Sequence, residues 1–103
     1  MSVYEKIRDC LLIHNGKNNS ITSAQIANIL GFDEDDTHAK TRSLIRKTAE
    51  IYELPLVADN KGYYLITSQK EFDDYIDNLN SRIEGIEDRK RIITQNYNKL
   101  KGE

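Results

Sequence analysis

The chain has little of what small proteins use to lock or power themselves. Among its 103 residues there is one cysteine, Cys10, so no internal disulfide can form. A lone thiol fits a reducing compartment, and the cytoplasm is the expected location. Cys10 sits within an apolar helical pattern and reads as a buried structural thiol. No apolar run approaches the roughly 20 residues of a membrane span. The first residues, MSVYEKIRDC, contain no secretory apolar core. There is no GxGxxG, Walker A or GxSxG stretch, which removes the commonest nucleotide and nucleophile signatures. One Cys and two His (His14 and His38) give no zinc spacing and no cofactor set. His38 beside Asp33–Asp36 leaves open a carboxylate-rich cation site, but a solvated helix start accounts for the same residues. Nothing in the spacing singles out a catalytic triad. The expectation is a protein that is not an enzyme.

Apolar residues are also scarce, at 38%, while charged residues reach 31%. One domain fits in this length, with a core near the lower limit for independent folding. Charge of one sign is missing overall, since the net charge is −2, but it is unevenly spread. Residues 37–70 hold six Lys or Arg against three Asp or Glu, a net of +3. The flanking segments are −3 (residues 1–36) and −2 (residues 71–103). A nucleic-acid footprint, if present, belongs in the middle.

Periodicity predicts helices over Ser2–His14, Ile21–Gly31 and Thr37–Leu54. Ser2 with Glu5 and Thr22 with Gln25 have capping-box spacing, and Ile21 with Ile26 has that of a hydrophobic staple. Val3, Ile7, Cys10, Leu11 and His14, with Ile13 beside them, form the first buried face. Ile26, Ile29 and Leu30 form the second, and Gly31 suits the closing position. Phe32 is expected to plug the core beneath the turn. The acids Asp33–Asp36 are expected near the start of the third helix, where its dipole favours negative charge. In that helix Thr41, Ile45, Thr48 and Tyr52 share the inner side. Lys40, Arg42, Ser43, Arg46 and Lys47 lie on the outer side or its flanks. Pro55, the single proline, is expected to stop the helix. Leu56–Asp59 and Tyr63–Thr67 read as strands around the turn Asn60-Lys61-Gly62, with Gly62 suited to positive φ. Tyr63 and Tyr64 are expected to point one inward and one outward.

Ser68 to Lys101 reads as one long helix, again with capping-box spacing between Ser68 and Glu71. Phe72, Ile76, Leu79, Ile83, Ile86, Ile93, Tyr97 and Leu100 follow heptad spacing, with Lys90 in the skipped core position. Arg82 and Glu87 form an attractive g–e pair in a parallel coil, though one pair leaves the strand direction open. Gly85 can mark a bend. Self-association through this stripe is expected, against the alternative of a marginal exposed helix.

The stretch ITSAQIANILG followed by a basic helix resembles a helix-turn-helix, and ELPLVADNKGYYLI resembles the wing of winged-helix proteins. The resemblance covers about Val3–Thr67, and the appended helix looks like the dimerisation helix of small bacterial and phage-type members. It implies a mainly α fold with a small β-hairpin: a winged-helix domain over residues 1–67 and a coiled-coil helix over 68–103. It also implies double-stranded DNA as partner and a homodimer acting in transcription or replication. Lys40, Arg42, Ser43, Arg46 and Lys47 would face the major groove, and Asn60 and Lys61 would be wing contacts. The acidic loop, net negative charge and long helix keep a second reading open: an interaction module, a modulator of phage type, that docks on a host or phage protein through the winged-helix or long-helix surface.

Overall fold

The computed structural model describes residues 2–33 and 38–102. The fold is mainly helical, with one antiparallel hairpin and a long C-terminal helix. The order is α1 (Val3–Leu12), a 3-10 turn (Lys17–Asn19), α2 (Ser23–Leu30), α3 (Ala39–Ile51), β1 (Leu56–Asp59), β2 (Gly62–Leu65) and α4 (Gln69–Leu100). The chain divides into two compact units, Met1–Glu71 and Phe72–Glu103.

Caps set the helix starts as the spacing predicts. Ser2 Oγ accepts from Glu5 N at 3.2 Å while Glu5 Oε1 accepts from Ser2 N at 3.3 Å. Thr22 and Gln25 form the same reciprocal pair at 3.1 and 2.9 Å. Each pair satisfies two backbone donors of the first turn region. Helix ends differ from the pattern. α1 stops at Leu12 rather than His14, because asparagine amides take its last carbonyls: Asn15 Nδ2 donates to Leu12 O at 2.7 Å and Asn19 Nδ2 to Ile13 O at 3.1 Å. α2 ends at Gly31, with φ of 75° and Phe32 N bonded back to Ala27 O. α3 ends before Pro55 is reached. Glu53 adopts φ of 54°, Leu54 N donates to Ala49 O at 2.9 Å and Glu53 N to Glu50 O at 3.4 Å. That is a Schellman closure with glutamate where glycine is usual.

The core of the first unit joins Ile7 and Leu11 of α1, Ile21, Ile26 of α2, Ile45 of α3, and Tyr63 and Leu65 of β2. Val3, Cys10, Leu30, Leu44, Leu54 and Leu56 pack around it. Ile29 is an exception, at 64% exposed. At 100° per residue it lies roughly 110° from the middle of the face made by Ile26, Ala27 and Leu30, too far round to reach the core. Phe32 is half-buried rather than a plug. Lys40 Nζ sits 4.7 Å from its ring centroid, a cation–π contact.

β2 is the middle of a larger hydrogen-bonded array than a hairpin alone. It pairs with β1 in the register Leu56↔Leu65, Val57↔Tyr64, Ala58↔Tyr63 and Asp59↔Gly62. On its other edge Tyr63 exchanges two bonds with Ile21, at 2.9 and 2.7 Å. Leu65 N donates to His14 O, and Leu65 O accepts from Gly16 N. Tyr63 and Tyr64, on opposite faces of the strand, are both buried, at 8% and 5% exposed, so neither face of β2 is open here. Tyr63 joins the core, while Tyr64 lies opposite Val57, itself 1% exposed.

α4, which makes up most of the second unit, runs unbroken for 32 residues, about 48 Å. Gly85 lies inside it without interrupting the helix. None of its residues is buried. No helix among the described residues is long and apolar enough to cross a membrane.

Candidate nucleic-acid interface

The division of α3 into two faces defines the candidate site. Thr41, Ile45 and Thr48 are fully buried, at 0% exposed. The buried Thr48 hydroxyl is satisfied, since its Oγ1 donates to Leu44 O at 2.7 Å. Anchoring that side leaves Lys40, Arg42, Arg46 and Lys47 exposed, with Ser43 beside them. Arg42 and Arg46 are one helical turn apart and act together on one buried group, the Tyr63 phenol. Burial raises the pKa of Tyr63, and the two guanidiniums pull it partly back down. Ile45 of α3 and Tyr63 at the start of β2 meet in the same core cluster.

Asn60 and Lys61 come from a different element, the two-residue turn between β1 and β2, and both are exposed. Asp59 Oδ1 accepts from Lys61 N at 2.9 Å and fixes that turn. Its carboxylate also sets a negative charge at the base of the turn, which offsets part of the charge of Lys61. Asp59 escapes a reading by sequence, although the D-N-K-G string carries the signal. So do Phe32 as the seat of Lys40 and Tyr63 as the neighbour of both arginines. Of the acidic run, Asp33 is exposed, while Glu34, Asp35 and Asp36 lie outside the described residues, as does Thr37.

The remaining singled-out residues do not converge. His14 Nδ1 lies 2.9 Å from Asn19 O, a bond that stabilises the loop after α1. Cys10 is half-buried, and burial raises its pKa, which lowers its thiolate fraction. Among the described residues no three His, Cys, Asp or Glu side chains group as metal ligands do.

The stripe along α4 forms a second candidate surface. Phe72, Ile76, Ile83, Ile86, Ile93, Tyr97 and Leu100 are exposed, from 38% at Ile76 to 87% at Leu100, and Leu79 is half-buried. Ser68 Oγ caps the helix by accepting from Glu71 N at 3.1 Å. The Glu71 carboxylate accepts from Thr67 N at 2.9 Å, Thr67 Oγ1 at 3.1 Å and Lys17 N at 2.8 Å. These bonds hold its pKa below the usual carboxylate value. Glu71, the last residue of the first unit, is thereby tied to that unit's 3-10 turn. Compared with known proteins, the chain matches no family model, no curated protein and no solved structure.

Proposed function

We propose that this chain is a DNA-binding protein of winged helix-turn-helix type, acting as a dimer held through α4. The observation that carries the reading is the split of α3: one side sealed in the core, the other presenting Lys40, Arg42, Ser43, Arg46 and Lys47. Long cations on a rigid helix neutralise phosphates and release counterions, and arginine also reads guanine edges. Support also comes from the hairpin. Its β2 strand bonds to Ile21, just ahead of α2, so α2, α3 and the turn bearing Lys61 belong to one core.

The test is duplex binding across a salt series. Each neutralised phosphate adds about 0.9 to the log–log salt slope, and the substitution removes two cations from each protomer of the dimer, so wild type is expected to be steeper than Arg46→Ala/Lys47→Ala by roughly 3.6. The double variant should keep its melting temperature, because both side chains are exposed. Absence of any retardation of duplex at low salt sinks the reading.

One observation favours a protein-docking role instead. Leu12, Ile13, Ile29 and Ile51 remain 46%, 70%, 64% and 49% exposed on the first unit. A stoichiometric protein partner recovered from nuclease-treated lysate, together with no duplex binding, would select that role.

A further inference from the structure

Charge along α4 is segregated by position. From Phe72 to Asp88 there are six carboxylates and one cation, Arg82, a net of −5. From Arg89 to Lys101 there are five cations and no carboxylate, a net of +5. Because α4 is one continuous helix, the two halves lie end to end along a single axis. The helix dipole favours this polarity, but its effect falls off within the first and last turns. It does not account for Asp77, Glu84 and Glu87 or for the run Arg89-Lys90-Arg91, which stand further in.

We propose that the stripe of α4 pairs with α4 of a second copy of this chain, running antiparallel. This rests on the dimer part of the preceding reading and specifies its direction. In a parallel pair each half would lie beside its like-charged counterpart, and Lys90 would face the partner's Lys90 in the core. Reversing one helix sets residues 72–80, net −3, along residues 89–97 of the partner, net +3, and only residues 81–88, net −2, still meet their own counterpart. Heptad positions then mesh as Phe72 against the partner's Tyr97, Ile76 against the partner's Ile93, Leu79 against the partner's Lys90, and Ile83 against the partner's Ile86. The lysine stem covers Leu79 while its ammonium extends toward the acidic half of the partner helix. The arrangement places Arg82 beside the partner's Arg89, twice by symmetry, and gives up the exposed attraction of Arg82 to Glu87, also twofold. Against these and the like-charged middle stand two pairings of −3 with +3, whereas a parallel pair would set −5 beside −5 and +5 beside +5.

Two measurements on the full chain test the direction. The first mixes Phe72→Cys and Tyr97→Cys proteins, each in a Cys10→Ser background, under mild oxidation. Antiparallel pairing predicts a mixed disulfide between the two proteins and little cross-linking within either alone. Disulfides within each protein alone, and no preference for the mixture, overturn the proposal. The second leaves Cys10 in place and follows Asp73→Lys/Asp77→Lys by sedimentation equilibrium at low salt. The antiparallel pair loses attraction and dissociates more readily than wild type. A parallel pair would lose repulsion and tighten, which also overturns the proposal. A wild-type protein that stays monomeric at tens of micromolar removes the dimer and its direction together. Failure to bind duplex removes only the DNA reading and leaves these outcomes as they stand.

Discussion

At Gly62 the backbone enters β2 with φ of 129°, and a Cβ built there would lie 2.5 Å from the Ile21 carbonyl oxygen. Real Cβ atoms do not approach a carbonyl so closely, and the φ itself is unfavourable for an L side chain. Gly62→Ala is expected to destabilise the first unit by about 2 kcal/mol or more, read by denaturant unfolding. Glu71 supplies a different kind of dependence. Its folded pKa lies below the ordinary value, so the stabilisation it gives is present above the ordinary glutamate pKa and fades as pH falls through the folded one. Glu71→Gln is therefore expected to lower the melting temperature at neutral pH, with the gap to wild type closing as the solution is acidified below the ordinary glutamate pKa. An equal gap at neutral and acid pH would show that the carboxylate charge is not what matters there. The positive φ at Gly62 could be read from its place after Asn60-Lys61. The approach of Ile21, and the bond from Lys17 to Glu71, could not. Each joins segments distant in the chain, where local spacing carries no information.

Among the elements, legibility followed how local the determining interactions are. The caps of α1 and α2 are bonds between residues three apart, and Ser2, Glu5, Thr22 and Gln25 announce them. The inner face of α3 was readable because Thr41, Ile45 and Thr48 repeat at helical spacing. Ile29 misled because eight residues make a helix too short for its apolar pattern to distinguish a three-residue face from a four-residue one. Tyr63 and Tyr64 misled because alternation assumes one solvent-facing side, whereas β2 is paired on both edges and covered on both faces. For α4 the heptad spacing was plain, and its consequence is testable at this scale. Ile83→Asp/Ile86→Asp places two charges in the middle of the stripe. It should abolish sedimentation as a dimer and reduce helical circular dichroism, while the cooperative melting of the first unit persists. A dimer that survives both aspartates would place the contact elsewhere.

Over the whole molecule, the overall charge of −2 conceals an alternation of sign along the chain. The cationic middle segment supplies the exposed side of α3, and the two ends of α4 carry opposite charge. Composition alone made the chain look like a poor partner for a polyanion, whereas helical spacing already places Lys40, Arg42, Arg46 and Lys47 outward on α3, and the burial of Thr41, Ile45 and Thr48 agrees. How far the candidate site reaches was less legible, since Asp59, Phe32 and Tyr63 enter it through contacts rather than through motif. The bare stripe of α4 has a further consequence. A helix with no buried residue of its own takes its order from whatever covers it. If a second copy does so, folding of this segment is linked to assembly by mass action, and its stability rises with the amount of protein present. At low abundance the chain would be a folded head with a fraying tail, and as it accumulates it would become a paired molecule. Expression level would then act as its own switch for how many cationic faces are presented together.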